Sequence, residues 1–281
     1  MGTLITPAEL AKIKSEDEHI IVFDCRSSLM DEAAGKRAYD DAHIPGAHFA
    51  HLSEDLSGPI EPGVTGRHPL PAKDAFVATL EKWGVNNSAS VVAYDDANGA
   101  FAARLWWMLR WVGHEDVRVL DGGFTAWQAA SLPTETSTPA LIPAKFTPAN
   151  PISKTIAADN IINCGHFIID ARDQERFDGK VEPIDPIAGH IPGAHCLPFV
   201  QNLTDTLCFK SSSELQARFI DAGIDSGTQT ACYCGSGVTA AHNILALVHA
   251  GYPEPILYPG SWSEWITNTD RPIATNLSTP E

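Results

Sequence analysis

Short apolar runs alternate with segments of helical periodicity along most of the chain. The runs that predict buried strands are residues 20–23, 90–94, 117–120, 167–170 and 230–233. Helical periodicity covers residues 72–83, 100–112 and 240–250, and capping boxes at Thr6–Glu9 and Ser211–Glu214 begin two further helices. Because strands alternate with helices, the sequence predicts an α/β fold whose mostly parallel sheets carry helices on both faces.

The second half of the chain repeats the first. The segment His-Ile-Pro-Gly-Ala-His at 43–48 recurs without change at 190–195, and a strand ends in Asp-x-Arg at both 24–26 and 170–172. Later landmarks, such as Gly113 with Gly251, are 138 residues apart, a spacing that pairs Cys234 with Asp96. We therefore predict two tandem domains, residues 1–132 and 152–281. A proline-, serine- and threonine-rich linker, 133–151, joins them.

The segment 229–242 carries the most chemistry. A β-favouring run ends at Cys234, two glycines follow within three residues, and a helical pattern then begins. This order predicts that Cys234 lies at the carboxyl end of a strand, with the backbone N–H groups of residues 235–239 curled around its sulfur. Such donors and the positive end of a helix dipole favour a thiolate, so the pattern predicts a nucleophilic cysteine.

Other interpretations compete for the same residues. Gly235-x-Gly237-x-x-Ala240 fits a loose dinucleotide fingerprint, which also asks for an acidic residue at the end of the next strand, whereas Glu254 stands before the apolar run 256–258. Cys234 could instead be a small buried hydrophobe, or a zinc ligand with Cys232 and His242, although a structural zinc site needs a second ligand pair. A cysteine-loop phosphatase needs an arginine where this chain has Ala240.

Composition narrows the classes of partner. The 281 residues include 19 Lys+Arg against 35 Asp+Glu, a net charge of −16, which argues against nucleic acid and anionic membranes as partners. The six cysteines form no C-x-x-C pair and favour reduced thiols in a reducing compartment. Without an apolar run near 18 residues or a basic-then-apolar leader, we expect a cytoplasmic protein.

Together these features resemble the two-domain rhodanese-type sulfurtransferases. The marks are both His-Ile-Pro-Gly-Ala segments, Asp-Ala-Arg at 170–172, Gly-Ser-Trp-Ser-Glu-Trp at 260–265 and the Cys-Gly-Ser-Gly-Val-Thr loop at 234–239. The resemblance implies a silent N-terminal domain and a catalytic C-terminal one. It also implies that a Cys234 persulfide carries sulfur from a small anionic donor to a thiol or cyanide acceptor, thioredoxin among the thiols, with no metal or organic cofactor.

The loop residues Gly235, Ser236, Gly237, Val238 and Thr239 carry no charge. In this they resemble the 3-mercaptopyruvate sulfurtransferase branch, whereas rhodaneses that prefer thiosulfate carry basic residues there. The resemblance implies that Ser236 helps to move a proton, and that His68 approaches the cysteine with Glu54 or Asp55 completing a relay. A thiosulfate:cyanide sulfurtransferase and a non-enzymatic tandem scaffold or persulfide carrier are the alternatives.

Arg176 matches the family's substrate arginine, and a planar guanidinium suits a carboxylate. The second arginine of the mercaptopyruvate pattern is missing, so Arg67 or Lys180 is expected to substitute for it. Two acids nearby, Glu182 and Asp185, are expected to weaken anion binding. The strand-end arginines at 26 and 172 and the histidines at 43 and 190 occur in both copies, and we interpret them as structural.

Overall fold

The computed structural model describes residues 2–16 and 20–277. The chain divides into two compact units. The first contains Met1–Gly58, Pro71–Ser153 and Asp205–Phe209, and the second contains Pro59–Leu70, Lys154–Thr204 and Lys210–Glu281. Each unit is built around its own parallel sheet, so the predicted α/β fold with two tandem domains is confirmed.

The first unit has the strand order β1-β5-β4-β2-β3, with parallel neighbours throughout. Its strands are β1 (Leu4–Ile5), β2 (Ile20–Asp24), β3 (His48–Phe49), β4 (Ser90–Tyr94) and β5 (Val117–Leu120). Its helices are α1 (Pro7–Glu16), α2 (Ala34–Asp41), α3 (Lys73–Lys82), α4 (Ala102–Trp111) and α5 (Gly123–Ala129).

The second unit repeats this plan in the order β7-β6-β8-β9, again with parallel neighbours. Its strands are β6 (Phe167–Asp170), β7 (Ala194–Cys196), β8 (Thr230–Tyr233) and β9 (Ile256–Leu257). Its helices are α6 (Ala158–Ile161), α7 (Gln174–Asp178), α8 (Ser212–Asp221), α9 (Thr239–His249) and α10 (Ser261–Trp265), with a 3₁₀ turn at Phe199–Asn202.

The most buried pair of elements in the second unit is β8 with α9. β8 is buried along its whole length because it pairs with β6 on one side and β9 on the other. α9 is buried from Ala240 to Leu247, and hiding each of its larger aliphatic side chains stabilises the fold by about 1.5–3 kcal/mol. The loop between them is therefore held at both ends by rigid structure.

The strand-end arginines brace both sheets, as predicted. Arg172 donates from Nε and Nη2 to Asp170 and from Nη2 to the Gly189 carbonyl at 2.7 Å, and Arg26 contacts Asp24 in the same way. His43 and His190 are buried, and the Nδ1 atom of each lies 2.7 Å from a backbone carbonyl oxygen. Because the unit without Cys234 has the same contacts, they belong to the scaffold.

Two short segments depart from a simple division at the middle of the chain. Residues 59–70, which precede most of the first unit's helices, pack with the second unit, and residues 205–209 pack with the first. The predicted linker 133–151 runs extended along the first unit, where the Ala144 N–H donates to the Glu81 carbonyl at 2.9 Å and Phe146 is buried. Among the described residues, no helix has the length and apolarity needed to cross a bilayer.

Candidate active site

The structure places Cys234 directly after β8, with a side chain only 2% exposed. The N–H of Gly237 donates to its Sγ at 3.1 Å, and α9 begins at Thr239, one residue beyond the N-cap Val238. The sulfur therefore lies at the carboxyl edge of the sheet, within a loop that leads into a helix N-terminus. Backbone donors in such a position stabilise an anion.

A second turn, Tyr258–Ser263, holds the cysteine loop from the other side. The N–H of Cys234 donates to Ser261 Oγ at 3.1 Å, and Trp262 N–H returns a hydrogen bond to the Cys234 carbonyl at 2.9 Å. Gly237 has φ +76°, and a Cβ there would lie 2.2 Å from the Pro259 carbonyl oxygen. This position therefore requires glycine for both its backbone conformation and its close packing.

Ser261 is a positioning residue that the sequence analysis did not identify. It is buried and has φ +55°, in the left-handed region that a non-glycine residue seldom adopts. Its hydroxyl accepts from Cys234 N–H and donates to the Tyr258 carbonyl at 3.0 Å. The repeat contained a signal, because Gly123 stands at the matching place in the first unit with φ +57°.

The corresponding loop of the first unit surrounds the carboxylate of Asp95. Register pairs Asp24 with Tyr94 and Asp170 with Tyr233, so Cys234 matches Asp95, and the pairing with Asp96 predicted from the spacing of 138 is wrong. The stretch from Asp95 to Gly113 is one residue longer than that from Cys234 to Gly251, which shifts the later landmarks. The Asp95 carboxylate accepts four backbone N–H groups at 2.8–2.9 Å, from residues 97, 99, 101 and 102. The same loop architecture therefore encloses a carboxylate in one unit and a thiol in the other.

Two guanidinium groups lie over the cysteine loop. Arg176 comes from α7 and Arg67 from the segment 59–70, and both belong to the second unit. A Cβ at Gly235 would lie 3.0 Å from Arg67 Nη2 and 3.5 Å from Arg176 Nη2, so the absence of a side chain there permits their approach. Burial lowers the pKa of Arg67, with the nearby Cys234 acting in the opposite direction and Arg176 adding to the decrease.

Of the two expected substitutes for the missing arginine, Arg67 is the one beside the loop. Lys180 instead pairs with Asp178 at 2.9 Å at the end of α7, and its side chain is 53% exposed. This ion pair raises the pKa of Lys180 and, with hydrogen bonds from Gln174 and Asn276, lowers that of Asp178 to about 2.

Both acids named from the sequence contact these arginines. Glu182 accepts from Arg176 Nε at 3.0 Å and lies 2.6 Å from its Nη2. Asp185 bridges the two guanidiniums: its Oδ2 is 3.3 Å from Arg176 Nη2, and its Oδ1 accepts from Arg67 Nη1. Both carboxylate side chains are 3% exposed. The arginine pair is therefore engaged with carboxylates of the chain itself.

Ser236 and His68 are also brought together. His68 Nδ1 lies 2.8 Å from Ser236 Oγ, and Ser236 is 3% exposed. The segment that carries His68 is docked on the α10 turn, because Arg67 N–H donates to Ser263 Oγ at 3.1 Å. The turn that holds the cysteine loop therefore also holds the histidine segment.

Asp55 belongs to the first unit, where its Oδ2 accepts from the His51 N–H at 2.8 Å and burial raises its pKa. Glu54 is exposed, and its N–H donates to His51 Nδ1 at 3.3 Å. The relay from either acid to His68 stays a prediction.

Comparison with known proteins places the chain in a family. The rhodanese-like domain matches it twice, at residues 6–130 and 153–268. The chain belongs to the rhodanese-like family. The family match argues against the dinucleotide interpretation of the loop. Within the described residues, no group of three or more His, Cys, Asp or Glu could hold a metal. The sequence-based resemblance to two-domain rhodanese-type sulfurtransferases is confirmed.

Its relatives cover almost the whole chain. A probable 3-mercaptopyruvate sulfurtransferase of Pseudomonas aeruginosa is 48% identical over 97% of this chain and 98% of its own length. A putative thiosulfate sulfurtransferase, SseB, of Mycobacterium tuberculosis is 41% identical over 96% of each chain. Among solved structures, the 3-mercaptopyruvate sulfurtransferase from Leishmania major has a TM-score of 0.83 at 34% identity, covering 94% of this chain and 74% of that one. SseA from Escherichia coli, described as a 3-mercaptopyruvate sulfotransferase, has a TM-score of 0.81 at 33% identity, covering 94% and 100%.

Proposed function

We propose that this protein transfers sulfur from 3-mercaptopyruvate to a thiol or cyanide acceptor through a persulfide on Cys234. The observation that carries the proposal is the position of the cysteine: its sulfur accepts the Gly237 N–H in the loop that leads into α9, and two arginines lie over the adjacent Gly235. A nucleophile that must be anionic and a donor that carries a carboxylate both suit this arrangement. The name of the Pseudomonas aeruginosa relative supports the same donor.

In the first half-reaction, the Cys234 thiolate attacks the sulfur of the donor. An S–S bond forms while the donor's C–S bond breaks, and the released electron pair stays on carbon as the enolate of pyruvate. That carbon then takes a proton, so that pyruvate leaves and the enzyme keeps Cys234 as a persulfide. Ser236, 2.8 Å from His68 Nδ1, is the group that we assign to this proton transfer, with Asp55 as the predicted end of the relay.

Arg176 and Arg67 bind the donor's carboxylate and hold its sulfur near Cys234. The terminal sulfur of the persulfide carries negative charge and is stabilised by the loop's N–H groups, from Gly235 to Thr239.

In the second half-reaction an acceptor thiolate attacks the outer sulfur of the persulfide, the S–S bond breaks, and the Cys234 thiolate is regenerated. Thioredoxin is a proposed thiol partner, and we propose a reducing, cytoplasmic setting.

One observation favours thiosulfate as a second candidate donor. The loop itself is uncharged, but Arg67 supplies a second cation beside Arg176, and a pair of cations suits a dianion. The Mycobacterium tuberculosis relative bears a thiosulfate sulfurtransferase name.

Measuring initial rates of sulfur transfer to cyanide from each donor, with Cys234→Ser as the control, decides between mercaptopyruvate and thiosulfate. A kcat/KM in favour of mercaptopyruvate supports the proposal, and one in favour of thiosulfate overturns the donor assignment. If the protein turns over neither donor, a non-enzymatic persulfide carrier or scaffold becomes the favoured interpretation.

A further inference from the structure

Asp185 occupies an unusual position for an acid in an anion-binding site. It lies in the irregular segment between α7 and β7, and its carboxylate bridges the guanidiniums of Arg67 and Arg176. The residue is 7% exposed. The same two guanidiniums flank the space above Gly235, beside the sulfur of Cys234. A carboxylate of the chain itself is therefore held by the cations that lie nearest to the nucleophile's loop.

Glu182 differs from Asp185 in how firmly it is held. The Glu182 carboxylate also accepts the N–H groups of Ile184 and Asp185 at 3.1 and 3.2 Å, and it lies 3.3 Å from Arg172 Nη1. It therefore fixes the segment's own backbone. Within the described part of the chain, the Asp185 carboxylate contacts the arginine pair, through Arg67 Nη1 and Arg176 Nη2. Asp185 is thus the carboxylate that can leave the arginines without breaking the turn that carries it.

The charges at this place balance. Two guanidiniums, Arg67 and Arg176, face two carboxylates, Glu182 and Asp185, while Arg172 is engaged with Asp170. The arginines and carboxylates around the loop therefore sum to a formal charge near zero, and a Cys234 thiolate makes the site that an anionic ligand approaches net negative. Because Coulomb energy scales with the charge of the ligand, each internal acid opposes a dianion twice as strongly as a monoanion.

We propose that Asp185 is an internal competitor for the anionic group of the donor and thereby selects a monoanionic donor over a dianionic one. In the free protein its carboxylate neutralises Arg67 and Arg176. The donor's carboxylate takes its place on the guanidiniums, and Asp185 turns away from them. The effect on donor choice rests on the proposed sulfurtransferase function, whereas the competition for the arginines does not.

The first test uses chemical modification, which needs no turnover. Iodoacetate is a monoanion and iodoacetamide is neutral, and both alkylate a thiolate. Rates at Cys234 are followed by mass spectrometry of its peptide in the parent protein, in Asp185→Asn and in Asp221→Asn. The last variant makes the same chemical change at an exposed position at the end of α8. Taking the ratio of the two rates removes any change in the amount of thiolate.

We expect Asp185→Asn to raise the iodoacetate:iodoacetamide ratio by about tenfold and Asp221→Asn to leave it unchanged. An unchanged ratio in Asp185→Asn overturns the proposal, and so does a lower one, which would mean that Asp185 holds the arginines in their binding geometry. Circular dichroism melts check the fold, and Asp185→Ser removes the same charge if the asparagine variant does not fold.

The second test compares donors. In Asp185→Asn, kcat/KM should rise by about tenfold for mercaptopyruvate and by about a hundredfold for thiosulfate, so that the preference moves toward the dianion. Equal gains for both donors overturn the selectivity part of the proposal. If no variant turns over either donor, the proposed function fails, and the alkylation ratio still decides whether Asp185 competes for the arginines.

Discussion

Replacing Gly235 by alanine tests whether the two arginines bind the donor. The added Cβ would lie 3.0 Å from Arg67 Nη2 and 3.5 Å from Arg176 Nη2, and the nearer contact is tighter than ordinary van der Waals packing. Both neighbours are ends of flexible side chains, so the guanidiniums can withdraw by a few tenths of an ångström while the backbone stays in place. We therefore expect KM for the donor to rise by about tenfold with little change in kcat, because the donor loses roughly one charge-assisted hydrogen bond.

Gly237→Ala provides the matched comparison. Its Cβ would lie 2.2 Å from the Pro259 carbonyl oxygen at a φ of +76°, so backbone rather than a side chain must move. The left-handed conformation costs about 1–2 kcal/mol, and overpacking adds about 1–3 kcal/mol. We expect this variant to be less stable to urea by roughly 2–5 kcal/mol and to lose kcat, since the Cys234 loop shifts.

Initial rates over a range of donor concentrations, together with urea unfolding, separate the two variants. If Gly235→Ala keeps its KM and loses kcat, the arginines do not bind the donor in the proposed way. If Gly237→Ala retains both full activity and full stability, the loop does not require glycine at this position.

Three further predictions concern the arginine pair, Ser236 and Asp178. Arg67→Ala and Arg176→Ala should each raise KM for the donor by about tenfold, whereas Lys180→Ala, which removes a cation paired outside the site, should leave KM unchanged in the same assay. Ser236→Ala should lower kcat on the order of a hundredfold with a nearly constant KM. A rise in KM with an unchanged kcat would contradict a role in proton transfer. Because the pKa of Asp178 is lowered to about 2, its contribution to stability is complete above its ordinary value of 3.8 and is lost as pH falls toward 2. Urea unfolding between pH 5 and pH 2 should therefore show a shallower loss of stability in Asp178→Asn than in the parent, and parallel curves would contradict the assignment.

Much of the architecture could be predicted from local patterns. The buried strands and the strand–loop–helix order around Cys234 follow from periodicity and glycine placement, and both were observed. The scaffold role of Arg26 and Arg172 followed from their presence in both copies. Repetition is informative here because a residue needed only for packing is kept in both units.

What the sequence could not give depended on register and on long-range packing. One extra residue between Asp95 and Gly113 shifted the apparent partner of Cys234 by one position, and strand pairing reveals this. The placement of Arg67 beside Gly235 depends on the segment 59–70, which packs with the second unit although it lies far from it in the chain. The bridge made by Asp185 likewise joins residues more than a hundred positions apart.

The most direct test of the account is mass spectrometry of the Cys234 peptide after the protein has reacted with 3-mercaptopyruvate in the absence of an acceptor. We expect a gain of one sulfur atom on that peptide, one equivalent of pyruvate released, and loss of the added sulfur when a thiol is supplied. No gain of mass on Cys234, or an equal release of pyruvate from Cys234→Ser, would contradict it.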